Sequence, residues 1–488
     1  MGKAKISGGG GVLKVPNGTL QMKTVMQDVI RNMAFVVSCT TKNTILNTPN
    51  IFGKSAQSSY RDMTVGRSYR IDDDRILVTA SAYIDTMSYD IYAAVYSFSK
   101  RQFGTAARVL SGVLPLNILP EEHMPSVFDT STRVFPDTES SFIFAGYPYR
   151  SSDHIYISAA RAVISGTAIT VTPIYDSYKV DDAKVVVHFL GAYNGRLYFT
   201  YCNDGSYKSG WYLSDGTKTV TLSRDSINSV NIRLCSVDEK GNLFLSAYYG
   251  QSYRTKYFTG LLDSSLNIVS SDESFNDLVN SGSLAVFPIG HGRFVAYIPS
   301  SGGGIYEYGT GGLEKVAAID GMMSPSNVNC ILSLHDRASN RIMFACPSPA
   351  VADNMLIYDT AKRTVIRSRH AFVCANMATQ YGFIHKTADG EYVVIETPTS
   401  MSHRYHVFDG GLVCRYSNGY MEPFPVCVVP GSVTPHGLEY VSEPNTRTGS
   451  DYIRLYRDNG VAERTTEPAL NGMAVQKKRY LEEVKVYV

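Results

Sequence analysis

Short apolar runs alternate with polar turns along most of this chain. In residues 354–369, NMLIYDTAKRTVIRSR, one run ends in Tyr-Asp, a polar turn follows, and a second, alternating run begins. Residues 403–417 and 451–465 repeat this pattern. Because side chains of a β-strand alternate between two faces, such runs are typical of short strands joined by tight turns. The pattern predicts an all-β chain.

The strands recur as a unit of four. The second strand of the unit often begins with Arg, and it starts at eight positions that are 46 to 66 residues apart. A third strand rich in Tyr and Phe follows each of these positions. The eight positions are Arg75, Ser141, Arg196, Asn242, Arg293, Arg341, Glu391 and Gly437. Four short strands in a period near 50 residues are typical of a propeller blade, whereas a β-sandwich lacks this period and a β-helix has a shorter one. We therefore predict a β-propeller of seven or eight four-stranded blades.

Both ends of the chain depart from the repeat, which suggests four regions. We predict a flexible Gly-rich arm in residues 1–19, a short helix and a strand in 20–61, the propeller in 62–466, and a helix and strand tail in 467–488. The N-terminal helix either packs on the propeller or docks a neighbouring subunit. The last strand either closes the propeller or pairs with another chain.

The two ends are also the predicted partner-binding segments. A run of glycines gives the arm freedom to reach a neighbouring chain, while Met and Val side chains supply apolar contacts. The predicted partner-binding residues are Gly8, Gly9, Gly10, Gly11, Val12, Met22, Met26, Val484, Val486 and Val488.

Charge and cysteine spacing narrow the classes of partner. A net charge of +2 indicates no nucleic-acid partner, and no apolar stretch is long enough for membrane insertion. The eight cysteines are dispersed, with no spacing typical of a zinc site, so reduced and buried thiols are expected. The N-terminus lacks the pattern of an export signal, which predicts synthesis in the cytoplasm without export.

The candidate catalytic and metal-binding patterns are weak. Residues 72–74 are three aspartates without the glycine of a calcium loop, so a charged turn is expected. His403 and His406 are three apart on a predicted strand and therefore face opposite ways. The glycines of residues 300–312 are not followed by a helix that could hold a phosphate. We therefore predict no enzymatic activity, no cofactor and no metal.

Two resemblances extend this interpretation. The turn LIYDTAKRTVI, residues 356–366, is similar to turns of several bacterial propeller families. The Tyr-, Ser-, Asn- and Gly-rich all-β chain with its Gly-rich start also resembles structural proteins of tailed-bacteriophage virions, in the tail, collar or fibre-attachment region. This resemblance implies a non-enzymatic rigid propeller in a large assembly, with other protein subunits as partners and the virion as final location.

The alternative is a propeller that binds or cleaves glycans in host-surface recognition. Its basis is two Tyr-rich segments, SAYIDTMSYD in residues 81–90 and SAYYGQSYR in residues 246–254, whose rings could stack on sugars. A host-surface glycan is then a further candidate partner. Simple hairpins with Tyr at their strand ends would give the same pattern.

Overall fold

The structure is a computed structural model. It describes residues 12–13, 36–38, 44–49, 63–116, 132–148, 156–271, 285–318, 332–345, 355–367, 383–428, 438–442, 452–458 and 485–487, with shorter gaps inside these ranges. The regular elements within them are β-strands and one 3₁₀ helix, Arg337–Ser339. No helix in this part of the chain is long and apolar enough to cross a membrane. The all-β prediction is confirmed, while the two predicted terminal helices lie outside the described residues.

The chain divides into two compact units. Unit 1 comprises residues 1–49, 382–443 and 452–488, and unit 2 comprises residues 50–381 and 444–451. Strands are numbered in chain order, starting with three short strands of unit 1. These are β1 (Val12–Leu13), β2 (Val36–Ser38) and β3 (Thr44–Pro49).

Unit 2 contains six antiparallel sheets within its described residues, called here the first to the sixth sheet. The first sheet contains β4 (Met63–Arg70), β5 (Arg75–Asp85), β6 (Ser88–Ser97) and β7 (Gln102–Phe103), and β8 (Ala107–Val113) also pairs with β6. The second sheet contains β9 (Arg133–Thr138), β10 (Ser141–Gly146), β11 (Tyr156–Ser165) and β12 (Ala168–Lys179). The third sheet contains β13 (Val185–Tyr193), β14 (Arg196–Asn203), β15 (Trp211–Ser214) and β16 (Thr219–Ser223).

The other three sheets of unit 2 have the same order. The fourth sheet contains β17 (Ser229–Val237), β18 (Leu243–Gln251), β19 (Arg254–Leu262) and β20 (Ile268–Ser271). The fifth sheet contains β21 (Ala285–Gly290), β22 (Arg293–Ile298), β23 (Gly304–Gly309) and β24 (Gly312–Ala318). The sixth sheet contains β25 (Leu332–Asp336), β26 (Arg341–Ala345), β27 (Met355–Asp359) and β28 (Thr364–Arg367). In each sheet, strands that are neighbours in the chain are also hydrogen-bonded neighbours.

Unit 1 contains two four-stranded sheets and a three-stranded one among its described residues. The strands after unit 2 are β29 (Phe383–Lys386), β30 (Tyr392–Thr399), β31 (Ser402–Phe408), β32 (Cys414–Met421), β33 (Pro425–Val428), β34 (Leu438–Ser442), β35 (Tyr452–Asp458) and β36 (Lys485–Tyr487). Strands β29 to β32 form one sheet, and β33 to β35 form another whose fourth strand is β3. Strand β36 lies between β1 and β2. Segments that are distant in sequence therefore complete two of these sheets.

Burial changes from strand to strand across a sheet. All residues of β10 and β27, a second and a third strand, are buried. The fourth strands β12 and β20 contain only exposed and partly buried residues. A strand buried on both faces needs an almost continuous apolar run, which explains sequences such as SFIFAG and MLIYD. The middle strands of a sheet thus hold its core, and the fourth strand faces solvent.

The first strands of consecutive sheets in unit 2 lie side by side. Strand β9 lies beside β13, β13 beside β17, and β17 beside β21. Buried apolar side chains of neighbouring sheets also form shared core clusters. A sheet whose two faces are both covered by neighbouring sheets is the arrangement of a propeller blade. The propeller-like fold is confirmed, and the number of blades, seven or eight, stays a prediction.

The close approach of β13 and β17 requires a glycine. Strand β13 has a bulge between Phe189 and Gly191. A Cβ atom at Gly191 would lie 2.6 Å from Cγ2 of Val237 on β17, which is closer than such contacts come. Any larger residue would therefore force Val237 or its strand to shift.

The repeat was predicted accurately. The second strands of the seven four-stranded sheets and of the five-stranded first sheet start within one residue of the predicted positions. The predicted domain boundaries at residues 19, 61 and 466 stay a prediction.

Candidate functional site at the hairpin edge

One edge of each sheet in unit 2, called here the turn edge, carries the turns between the first and second and between the third and fourth strands. Aspartates fix many of these turns. Asp263 Oδ1 accepts the backbone N–H groups of Ser265 and Asn267, at 2.9 and 2.8 Å. Equivalent bonds to backbone N–H groups two to four residues further along are made by Asp72, Asp215, Asp238 and Asp359. These carboxylates have a structural role that their turn positions explain.

Hydrogen bonds also shift the pKa of these carboxyl groups. Partial burial alone would raise the pKa of Asp263, but the bonds from Asn267 and Ser265 outweigh it and hold that pKa below its usual value. The pKa of Asp215 is lowered in the same way, against burial, by Lys218 and Thr217. Both groups are therefore charged at neutral pH, which favours the hydrogen-bonded turns.

The turn edges of neighbouring sheets are linked to each other. The Gly195 N–H group in the third sheet donates to Oδ1 of Asp137 in the second, at 2.8 Å. Further links between consecutive sheets join Arg75 to Gly166 and Lys218 to Ser265. The turn edges of the first four sheets therefore lie on one side. The opposite edges, where the second strand meets the third, share the other side, which we call the hairpin edge.

The hairpin edge carries pairs of tyrosines. In each pair, one ring comes from the second strand and the other from the residue opposite it on the third strand. The pairs are Tyr83 with Tyr89 in the first sheet, Tyr201 with Tyr212 in the third and Tyr248 with Tyr257 in the fourth, with ring centroids 5.4, 5.2 and 6.4 Å apart. Cross-strand aromatic pairs stabilise hairpins, and they also present rings to solvent.

The tyrosine pairs differ in exposure. Tyr257 is 39% exposed, its partner Tyr248 is half-buried, and Tyr201 is buried. In the third sheet, the buried indole of Trp211 donates from Nε1 to Thr200, whose hydroxyl donates to the backbone oxygen of Tyr212 at 2.7 Å. Ordered partners thus fix the strand that carries Tyr212.

A cluster of charged side chains joins the fifth and sixth sheets. The Tyr358 hydroxyl donates to Oε1 of the buried Glu307 at 2.7 Å, and Nη atoms of Arg363 and Arg293 lie 3.4 and 3.6 Å from Oε2. Burial, with the neighbouring Glu307 carboxylate, raises the pKa of Tyr358 above its usual range. Since Tyr358 is fully buried and stays protonated, it is a hydrogen-bond donor and has no access to a substrate.

Other reactive groups lie on first strands. Burial raises the pKa of the Cys235 thiol to about 12, so this residue is protonated at neutral pH and is a poor nucleophile. Burial lowers the pKa of His188 to about 4, so its ring is neutral at neutral pH. Within the described residues, no group of three or more His, Cys, Asp or Glu side chains could hold a metal ion.

The predicted partner-binding residues are only partly described. Val12 on β1 pairs with Tyr487, and Val486 on β36 pairs with Leu13 and Val37, so these two residues belong to one sheet. The others lie outside the described residues: Gly8, Gly9, Gly10, Gly11, Met22, Met26, Val484 and Val488. Partner binding at the chain ends stays a prediction.

Sequence patterns found part of the hairpin edge. The segments at residues 81–90 and 246–254 were singled out for their tyrosines; the first contains a whole pair, and the second contains Tyr248, one ring of another pair. The third pair was missed, although YFTYC and WYL place Tyr201 and Tyr212 on strands that were predicted to be neighbours. The expected charged turn at the three aspartates is present, because Asp72 accepts backbone N–H groups of Asp74 and Arg75.

No protein-family model and no curated protein matches this sequence. Several solved structures are similar to it at low identity. The β-propeller domain of the Trilobed protease from Pyrococcus furiosus, which has an open velcro topology, is 12% identical with a TM-score of 0.34, over 68% of this chain and 96% of that one. A prolyl endopeptidase is 10% identical with a TM-score of 0.36, over 80% of this chain and 57% of that one.

A puromycin-hydrolyzing peptidase from Mycobacterium tuberculosis is also 10% identical, with a TM-score of 0.30, over 59% of this chain and 44% of that one. This chain thus spans about half the length of the two peptidase chains that it matches. Likeness at these identities concerns the fold alone.

These comparisons correct the functional interpretation of the sequence. A non-enzymatic structural component of a bacteriophage virion was predicted, yet the similar structures include a propeller domain of a protease and two peptidases. The prediction that the protein is not an enzyme is contradicted by the same finding. The virion interpretation was wrong because it rested on composition and on a Gly-rich start, which many unrelated all-β chains share.

Proposed function

We propose that this chain is the substrate-binding propeller of a hydrolytic enzyme, and that tyrosine pairs at the hairpin edge bind a polypeptide substrate. The observation that carries the proposal is the contrast between the two edges of unit 2. Hydrogen bonds link the turn edges of neighbouring sheets, whereas the hairpin edge presents partly exposed tyrosine pairs in the first and fourth sheets and the half-buried Tyr212 in the third.

Tyrosine suits this role for physical reasons. A Tyr side chain offers a large apolar ring and a polar tip, and it loses little rotamer entropy on binding. Pairing across two strands fixes the ring further, so less free energy is spent on ordering when a ligand arrives.

The charges beside the tyrosines favour a polypeptide over a neutral glycan. Asp90 follows Tyr89 in the first sheet, and the exposed Lys256 precedes Tyr257 in the fourth. The exposed Lys256 adds a positive charge that can attract an acidic group of a peptide segment, whereas Asp90 is already paired with Arg108 at 3.5 Å.

The proposal gives the described residues the role of binding. The buried Tyr358 and Cys235 are protonated and inaccessible, so neither is offered as a nucleophile. Peptidase activity is the first hydrolytic class to test, because the similar structures include a protease propeller domain and two peptidases.

The test starts from the intact chain and a pool of random-sequence peptides. Peptides retained on the immobilised protein are sequenced, and one of them is titrated by calorimetry. We expect Tyr257→Ala to weaken binding roughly tenfold, the loss of a contact of about 1.4 kcal/mol. The matched control is Ile268→Ala, an exposed apolar residue next to the turn edge of the same sheet, which should bind normally.

Mass spectrometry of the same peptides after incubation tests for hydrolysis. Cleavage that falls in Tyr257→Ala and persists in Ile268→Ala would support the whole proposal. Equal losses in both variants, no retained peptide, or retention of glycans from an array in place of peptides would overturn it.

Other expectations remain proposals beside this one. We propose that the strands at the chain ends, which include Val12 and Val486, bind another protein subunit at the edges of β1 and β2, which have no second strand partner among the described residues, since β36 lies between them. Cytoplasmic synthesis, a short N-terminal helix, and seven or eight blades also remain proposals. Truncation of residues 1–15, with sedimentation of the product, tests the subunit proposal.

A further inference from the structure

A histidine lies in the contact between the third and fourth sheets. His188, on β13, is almost fully buried, and its ring is hydrogen-bonded to the backbone of Val230 on β17. Its Nε2 atom is also buried and has no hydrogen-bond partner among the described residues. The ring is therefore accommodated in its neutral form, with one nitrogen as donor and the other unsolvated.

The groups around His188 do not favour a second proton. Arg133 on β9 adds a positive charge that acts on the ring. On β17 the buried thiol of Cys235 is neutral and donates to the backbone oxygen of Leu190 at 3.2 Å. On β14 the residue opposite His188 is the uncharged Thr200. The charged side chains of this sheet that the structure pairs, Arg196 and Asp215, lie at the turn edge.

We propose that His188 makes the contact between the third and fourth sheets acid-sensitive, and that its protonation separates β13 from β17. The charged ring would sit in an apolar contact beside a positive charge, with no carboxylate acting on it among the described groups. Opening the contact solvates the ring and relieves this cost. Gly191 and Val237, which face each other across the same two strands, would move apart with it.

Proton binding to His188 determines whether acid favours the open or the closed contact and over which pH range the change occurs. Burial lowers the pKa of His188 to about 4, while a solvated histidine keeps its usual value near 6.5. The open state therefore binds the proton first as pH falls, and the closed state loses stability from about pH 6.5 down to about pH 4. At pH 5 the opening equilibrium should be about 30-fold more favourable than at pH 8.

The protein has a built-in probe for this contact. Trp211, the sole tryptophan of the chain, is buried in the cluster shared by the third and fourth sheets, together with Val230 and Cys235. Hydrogen exchange of the β13 and β17 amides, with acrylamide quenching of Trp211 fluorescence as a second readout, measures opening between pH 8 and 5. We expect both signals to rise steeply in the wild type.

His188→Gln keeps a polar side chain that does not titrate, so it should remove most of the 30-fold change. His335→Gln is the matched control, since His335 is a half-buried histidine whose pKa is also lowered by burial, in the sixth sheet against Phe287. It should leave the response of β13, β17 and Trp211 unchanged.

If His188→Gln does not fold, the ring can be titrated directly by NMR in the wild-type protein. A folded-state pKa near 6.5 would overturn the proposal. So would a flat response of the wild type, or an acid response that survives in His188→Gln.

Discussion

The contact between the third and fourth sheets and the contact between the fifth and sixth are both buried, yet they are built from different chemistry. Trp211 fills the first, with its ring 5.3 Å from Tyr249 and 5.6 Å from Phe258. In the second, Glu307 accepts a hydrogen bond from Tyr358 at one end of a cluster that also contains the stacked rings of Tyr297 and Phe344.

The difference shows two ways in which one repeat covers its faces. An apolar contact depends on filled volume, so it is most destabilised when a substitution creates a cavity. A contact that contains a buried carboxylate depends on complete pairing, so it is most destabilised when a substitution leaves one partner unpaired. Sheets of the same topology should therefore fail for different reasons.

The largest expected effect is on the apolar contact. Trp211→Ala should lower the free energy of unfolding of unit 2 by about 3–5 kcal/mol, because a large buried ring is replaced by a cavity. Trp211→Phe is the control and should cost much less. Urea unfolding followed by circular dichroism measures both. Similar losses in the two variants would show that the indole hydrogen bond to Thr200, and not filled volume, holds this contact.

A smaller effect is expected on the charged contact. Tyr358→Phe keeps the ring but leaves Oε1 of Glu307 without its donor, which should cost about 1–3 kcal/mol. Glu307→Gln and the double variant complete a thermodynamic cycle under the same urea assay. Strictly additive losses would mean that the two groups are not coupled, and the contrast between the contacts would then disappear.

The smallest effect is expected at the exposed rim of the charged contact. Glu314 lies 2.7 Å from Arg363, but its side chain is 65% exposed. Because water and salt screen such pairs, Glu314→Gln should leave the midpoint of thermal unfolding within measurement error. A clear loss that vanishes at high salt would place this pair in the network around Glu307.

Sequence alone predicted the strands well and the contacts between them poorly. The period of about 50 residues placed second strands such as Arg75–Asp85 and Arg341–Ala345 correctly, because burial on both faces imposes a long apolar run. The pairing of β3 with β35 could not be foreseen, since Thr44–Pro49 resembles any short strand and its partner lies some 400 residues further along.

The candidate site was predicted in its parts and missed as a whole. Tyr83 and Tyr248 stood out in the sequence, but only the links between turn edges show that their sheets present them on one side. The histidine contact was missed because His188 lies in an apolar strand like many core residues. Its neighbours Arg133 and Val230 come from other sheets, which no local pattern reveals.

The pairing of β3 with β35 has a consequence for synthesis of the chain. Thr44–Pro49 leaves the ribosome long before Tyr452–Asp458 exists. At about 5–20 residues per second, the earlier strand waits roughly 20–80 s for its partner. During that time its backbone donors and acceptors have no native strand beside them, so the nascent chain carries an edge that other chains could join. Translation speed and chaperone cover should therefore govern the yield of this protein more than the stability of its finished sheets.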